Sequence, residues 1–277
     1  MSVPHPFRTL ELSDPAIDPR GLRFATVKSA ALAQRADVTL WLPPGASSLR
    51  DLPLAILLHG VYGSHWAWAL KGNAHGTAAG LIAAGSIPPM ALLMPSDGLW
   101  GDGSGYVRHA DRDYEAWIVD ELPAVAAAAA PCCSARSPLL LAGLSMGGFA
   151  ALRLAGKHPR RFVAVSAHSA MTELAQYDAL LAEARDDWSR DPRDASVLAA
   201  LEQAAGLPPL RFDCGRGDPF IGANRTLHAA LDARGIAHLY AEHDGGHDWT
   251  YWSRHLDDTL RFFGAVLHDL PPPQEDA

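Results

Sequence analysis

The sequence predicts an α/β protein built on a doubly wound, mostly parallel sheet, and three observations lead there. Short, solid apolar runs such as LAILLHG (54–60) and LLLAGLS (139–145) show no polar alternation, as expected of strands covered on both faces. Longer amphipathic segments separate these runs, as crossover helices between parallel strands require. The first two candidate strands do alternate and are joined by a short polar connection, which predicts an antiparallel hairpin at one N-terminal edge.

Along the chain, LRFATVKSA (22–30) and ADVTLWLP (36–43) form that hairpin, and LAILLHG follows as the first parallel strand. A helix near 66–84 leads to MALLMPS (90–96). The next helix, 113–129, ends in an alanine run that suits helix, and Pro131 closes it. LLLAGLS and a helix at 146–157 come next, then FVAVSAHS (162–169). Where one crossover would suffice, two helices (173–185 and 195–205) and an Asp/Arg-rich connection predict a small helical cap over 171–207. LRFDCG (210–215), a helix at 221–234, AHLYAEH (237–243) and a helix at 250–268 complete the sheet and its layers. The tail PPPQEDA (271–277) cannot pack and reads as disordered. One domain spans 1–277, and no internal repeat is evident.

With 48% hydrophobic and 19% charged residues, the chain has an ordinary globular composition, and 277 residues bury a large core without disulfides. The net charge of −8 comes without a Lys/Arg cluster, which argues against nucleic acid or an anionic membrane as partner. Cys132, Cys133 and Cys214 match neither a zinc site nor a redox pair and read as buried free thiols, which suggests a reducing compartment. No secretory signal or membrane-length apolar run is present, so a cytoplasmic protein is expected.

Gly143-Leu144-Ser145-Met146-Gly147 fits G-x-S-x-G, and it stands between a buried strand and a helix, the context in which that pattern exposes a nucleophilic serine. Close packing by the glycines is the plain alternative for the pentapeptide alone. A lone serine is a weak nucleophile, so the test is whether an acid and then a histidine follow on later strand ends. Asp218 follows LRFDCG in GRGDPF, and His247 follows AHLYAEH on a Gly-Gly loop before the last helix. Asp213 lies within its strand and would point into the layer, and Asp248 adjoins the base too closely to reach its far nitrogen. The helix beginning at Met146 points a free N–H at a developing oxyanion. HGVYG (59–63), after an earlier central strand, offers the second from Val61, with Tyr62 as second choice. His59 reads as support for this loop. Tyr62, Trp66, Trp68 and Trp249 are candidates to line a substrate pocket, with core packing equally open for Trp66 and Trp68. His243 and His247 stand four apart as in helical metal sites, but Gly245-Gly246 breaks any helix there and no third ligand is evident. The reading therefore assigns no metal and no cofactor.

Taken together, VKSAALAQRADVTLWLPPG (27–45), LAILLHGVYG, YEAWIVDELPAV (114–125), GLSMGG, GRGDPF and GGHDWTYW (245–252) resemble the esterase D branch of the α/β hydrolases over nearly the whole chain. That branch includes S-formylglutathione hydrolases, feruloyl and acetyl esterases and mycolyltransferases. The resemblance implies Ser145 as nucleophile, Asp218 as acid, His247 as base and the Val61 and Met146 N–H groups as oxyanion hole. HGVYG lacks the cysteine that S-formylglutathione hydrolases carry in this loop. The segment 96–113 falls where the family often builds part of its pocket mouth, so its Asp and Arg residues either read a polar substrate or form a solvated loop.

The expected activity is hydrolysis of a small carboxylic ester through an acyl-enzyme. Rival readings are transfer of the acyl group to an alcohol or sugar, and a non-catalytic binding protein on the same fold. The expected partner is a small-molecule ester, with no nucleic acid and no membrane. Homo-oligomerisation stays open.

Overall fold

Leu54–Leu58 (β4) and Leu139–Leu144 (β6) run parallel at the middle of a nine-stranded sheet, and every residue of both is buried. The computed structural model describes residues 6–270, so the expected disordered tail at 271–277 lies outside the described residues. The other strands are Phe7–Leu12 (β1), Leu22–Ser29 (β2), Arg35–Trp41 (β3), Ala91–Pro95 (β5), Ala164–His168 (β7), Leu210–Gly215 (β8) and Leu239–His243 (β9). Their order is β1-β2-β3-β5-β4-β6-β7-β8-β9. The six strands from β5 to β9 run parallel, while β1, β2 and β3 pair antiparallel and β3 joins β5 antiparallel.

The solid apolar runs serve two cores. Leu54, Ile56 and Leu58 face one layer with Trp117, Phe149 and Leu227, while Ala55 and Leu57 face the other with Trp68, Leu256 and Leu260. The first layer holds the helices Tyr114–Ala116 (α3), Leu122–Ala129 (α4), Met146–Lys157 (α5), Val197–Glu202 (α7) and Ile221–Ala233 (α8), with the short Pro192–Ala195 (α6) beside them. The second holds Ala67–Leu70 (α1), Ala74–Ala83 (α2) and Trp249–His268 (α9). Among the described residues, no helix is long and apolar enough to cross a membrane.

Several local expectations change. The β2–β3 hairpin forms as predicted, but it is not the edge, because β1 lies outside it. FRTLEL half-buries only Phe7 and Leu10, three residues apart, because the β1 register shifts between them. That spacing hides the strand from an alternation test. The single helix expected over 66–84 is interrupted at Gly72 and Asn73, the latter at φ 50°. The helix over 113–129 carries a π turn at Trp117–Glu121. Pro123 has no N–H to give to the carbonyl of Val119, four residues back, and that carbonyl instead accepts from the Arg161 guanidinium at 3.0 and 3.1 Å. Within 171–207, the helix expected at 173–185 is a 3-10 turn at Leu174–Ala179, and the second is divided between α6 and α7.

A buried ion cluster fixes α5, the helix that begins just after Ser145. Arg153, fully buried, donates to Glu115 (2.6 Å), to Asp194 and to the Tyr106 carbonyl (2.6 Å). Lys157 bridges Glu115 and Asp194 at 2.8 and 2.6 Å, and His158 reaches Glu115 at 2.7 Å. Burial alone would raise the Glu115 pKa, but the His158 hydrogen bond, the Arg153 charge and Lys157 together hold it well below the usual carboxylate range. The folded-state pKa is thus the lower one. This group's stabilisation is complete above the unfolded carboxylate value of about 4.3 and is lost as pH falls through the folded value. Replacing Arg153 with Met leaves two buried carboxylates with only Lys157 and His158 beside them, and urea unfolding at neutral pH should show a loss of about 3–5 kcal/mol. In the wild type, the urea midpoint should fall as pH is lowered from 5 toward 2. A flat acid limb would show that Glu115 is not charged in the folded state.

Candidate active site

The chain builds β4 and then β5 to one side of it before crossing to β6 on the other, so the C-terminal ends of β4 and β6 flank the switch point of the sheet. In open α/β sheets this is where ligands bind. Ser145 stands there between β6 and α5, buried, with φ 53° and ψ −115°. Gly143 and Gly147 make that turn possible. A Cβ on Gly143 would overlap the carbonyl of Gly147, and one on Gly147 would overlap that of Leu58.

Asp218 and His247 leave the ends of β8 and β9. His247 Nε2 lies 3.0 Å from Ser145 Oγ, and His247 Nδ1 lies 2.8 Å from Asp218 Oδ2. This pattern assigns the proton to Nδ1, which donates to the carboxylate and leaves Nε2 to accept from the hydroxyl. Asp218 is buried, and its Oδ1 accepts from the Phe220 N–H at 2.8 Å. The two loops are tied together, with Arg216 N–H donating to His243 O (2.8 Å) and Gly217 N–H to Gly245 O (2.9 Å). The imidazole sits edge-on to Phe220 and Trp252, with ring centroids 5.1 and 4.9 Å away.

Among the described residues, the N–H groups of Val61 and Met146 donate to no protein acceptor, whereas Tyr62 N–H is already committed to Asp102 O at 2.9 Å. Between the two expected donors of the HGVYG loop, Val61 is the one left available. His59 is buried behind this loop. Its Nε2 accepts from Asp97 N–H (3.1 Å), so its Nδ1–H donates to Gly60 O (2.7 Å), which is support and not base chemistry.

A cavity of about 360 Å³ opens over Ser145 and His247. Tyr62, Trp66 and Trp249 line it as expected, and Trp68 does not. Trp68 is 1% exposed, donates its indole N–H to Leu58 O at 2.9 Å and packs edge-on against Trp249, so it belongs to the core. Phe220, Trp252, Leu180 and Lys71 also line the cavity. The first two lie inside motifs already legible, Phe220 two residues after Asp218 at the start of α8 and Trp252 three after Trp249 in the first turn of α9. Leu180 and Lys71 have no comparable sequence signal. The segment 96–113 contributes no cavity residue and is not a solvated loop either. Asp97 is buried and accepts from Leu99 and Ser104 N–H groups, while Asp102 accepts from Tyr62 and Ala182, so the segment buttresses the HGVYG loop. A larger groove of about 680 Å³ lies at the opposite ends of β8 and β9, lined by residues such as Leu207, Pro209 and Leu239 and holding no serine or cysteine.

The cysteines do not compete as nucleophiles. Burial and the neighbouring Asp218 and Asp213 carboxylates push the Cys214 thiol up, and burial with the adjacent Cys132 pushes Cys133 up to about 12. Asp213 is fully buried as expected. It accepts from His168, from Arg211 (2.6 Å) and from Tyr251 (2.7 Å). Burial opposes its charge, yet His168 and Arg211 hold its carboxyl well below the usual range. Asp248 caps α9 by accepting from Thr250 and Tyr251 N–H groups.

The model of the Esterase family matches residues 29–263. An acetyl esterase of Caldicellulosiruptor saccharolyticus is 24% identical over 236 residues, covering 78% of this chain and 85% of that protein. Among solved structures, a ferulic acid esterase superposes with a TM-score of 0.75 at 23% identity, covering 93% of this chain and 98% of that one. An S-formylglutathione hydrolase from Agrobacterium tumefaciens gives 0.73 at 20% identity, covering 90% and 97%. These neighbours share the α/β-hydrolase fold. The different placements of the tryptophans predict different losses. Trp68→Ala should lower stability by about 3–5 kcal/mol in urea unfolding. Trp66→Ala, at a half-exposed cavity wall, should raise KM for p-nitrophenyl acetate with little change in the midpoint. The reverse pattern would remove Trp66 from the cavity wall.

Proposed function

This chain belongs to the Esterase family, a serine carboxylic ester hydrolase on the α/β-hydrolase fold, and we propose that Ser145, His247 and Asp218 carry its chemistry on a small acyl ester. The observation that supports this most is the unbroken relay from Ser145 Oγ to His247 Nε2 (3.0 Å) and from His247 Nδ1 to Asp218 Oδ2 (2.8 Å).

In this reading Ser145 Oγ attacks the ester carbonyl as His247 Nε2 takes its proton. The Val61 and Met146 N–H groups receive the oxyanion, and Asp218 steadies the imidazolium while holding its tautomer. His247 returns the proton to the departing alcohol, which leaves Ser145 acylated. Water, deprotonated by the same nitrogen, then attacks the acyl-enzyme and releases the acid. The aromatic walls and the volume of about 360 Å³ suit a short or aryl acyl group better than a long chain. Three buried free cysteines fit a reducing compartment, and the cytoplasm is the location this reading assigns.

A fluorophosphonate probe should label the wild type at Ser145 and leave Ser145→Ala unlabelled. On p-nitrophenyl acetate, Ser145→Ala and His247→Ala should each lower kcat about 10⁶-fold, and Asp218→Asn about 10⁴-fold, with folding intact by circular dichroism. Undiminished turnover in Ser145→Ala would move the nucleophile elsewhere.

A further inference from the structure

We propose that His228, Asp232 and His238 form a binding site for a first-row divalent cation, apart from the catalytic relay, which clamps α8 to the edge strand β9. One nitrogen or oxygen from each residue lies within 4.8 Å of the others. His228 and Asp232 are one turn apart on α8, with His228 Nε2 3.5 Å from Asp232 Oδ2. His238, just before β9, brings its Nε2 to 2.8 Å from His228 Nδ1 and to 3.9 Å from Asp232 Oδ1.

The lone pair at this site is fixed before any ion arrives. His238 is 1% exposed at its side chain, and its Nδ1–H donates to the Ile236 carbonyl at 2.8 Å. A carbonyl behind the ring is the usual second partner of a metal-binding histidine, since it sets the tautomer and aims the other nitrogen at the ion. Here that leaves His238 Nε2 unprotonated and facing His228. Aromatic packing restrains both rings, with His238 stacked on Phe212 (5.4 Å, 19°) and His228 on Tyr240 (4.5 Å, 27°). His228 and Asp232 keep 37% and 63% exposure, enough for an ion to enter and for water to fill its remaining positions.

With His228 neutral, the cluster is satisfied only in part. When His228 is neutral and gives its Nδ1–H to His238, its bare Nε2 faces the Asp232 carboxylate, and two lone-pair groups meet. A cation takes the place of the proton between the two imidazoles, binding His228 Nδ1, His238 Nε2 and the carboxylate; the displaced proton moves to His228 Nε2, which then faces Asp232 as a donor and removes that conflict. Two nitrogens and one oxygen suit Zn²⁺, Co²⁺, Ni²⁺ or Cu²⁺ better than Ca²⁺ or Mg²⁺. The nearby cluster of His243, His255 and Asp258 meets the same distance test but carries no such proposal. The Arg211 guanidinium stands 3.7 Å from Asp258, and a cation there would face an existing positive charge.

The test uses full-length protein without an affinity tag, stripped with EDTA and titrated with Zn²⁺ by calorimetry and with Co²⁺ by visible absorption. The expected result is a saturable site with d–d bands and a melting temperature that rises with Zn²⁺ concentration. His228→Ala and Asp232→Asn change surface-accessible groups, and each should weaken Zn²⁺ binding about tenfold or more. His243→Ala should leave it unchanged. Zn²⁺ uptake that is equal in wild type, His228→Ala and Asp232→Asn would overturn the site. So would loss of binding in His243→Ala alone, or the absence of saturable binding below millimolar Zn²⁺. None of these readouts depends on esterase turnover, so the ion site and the catalytic assignment stand or fall separately.

Discussion

Ser145 occupies a backbone conformation that the surrounding chain has to impose. At φ 53° and ψ −115°, a residue with a side chain costs about 1–3 kcal/mol, and such a position persists only where its neighbours over-determine it. The neighbours do so here. Ser145 N–H donates to His168 O at 3.0 Å, and Ser145 O accepts from Phe149 N–H at 2.9 Å and Met171 N–H at 3.3 Å. Gly147 lies against the last carbonyls of β4, so the strand that ends in the HGVYG loop also sets the first turn of α5. Ser145 and the Val61 and Met146 N–H groups are therefore positioned by one junction of β4, β6 and α5. Deforming it moves all three together.

A second buried relay lies under the first and explains how α9 holds its place. His168 at the end of β7 meets Asp213 and Thr259, with Nε2 2.9 Å from the threonine hydroxyl. Arg211 and Tyr251 complete the carboxylate's partners. The partners span β7, β8 and α9. Since α9 begins two residues after His247, this network anchors the helix that follows that residue, and Trp252 of the same helix adds a bond to Ser169 at 3.2 Å. Asp213 and Asp218 illustrate how position decides role. Five residues apart, one faces into the layer, where three donors surround it, and the other leaves the strand end, where a single imidazole is in reach.

Much of this was legible in the sequence because the decisive signals are local. A solid apolar strand, a glycine-flanked serine and a following helix specify the elbow without reference to the rest of the chain. Asp218 and His247 were legible for a weaker reason, since each follows a strand, and strand ends gather at one edge of a parallel sheet. What escaped depends on contacts far away in the chain. The register shift in β1 defeats alternation, and the π turn before Pro123 depends on Arg161, 38 positions later. Trp66 and Trp68 are two apart in the same stretch, yet one lines the cavity and the other fills the core, because the chain enters α1 between them. Nothing in their spacing separates the two roles.

The distance between Asp218 and His247 is set by the last rungs of a ladder and not by the loops that carry them. Gly215 pairs with His243 at the end of β8 and β9, and the Arg216 and Gly217 N–H bonds to the β9 side continue that register into the two loops. The consequence is that the position of His247 depends on β9, an edge strand with no fully buried residue. Edge strands have one unpaired side and are easily displaced. In this chain β9 is fastened to α8 from both ends, by Arg225 on Glu242 at 2.7 and 2.8 Å near the catalytic rim and by His228 on His238 at the far end. Helix α8 starts three residues after Asp218, so these two fastenings close a loop that runs from Asp218, through the helix and back along β9 to His247. The His247 imidazole is thus held by its own connection to the Asp218 carboxylate as much as by the core beneath it.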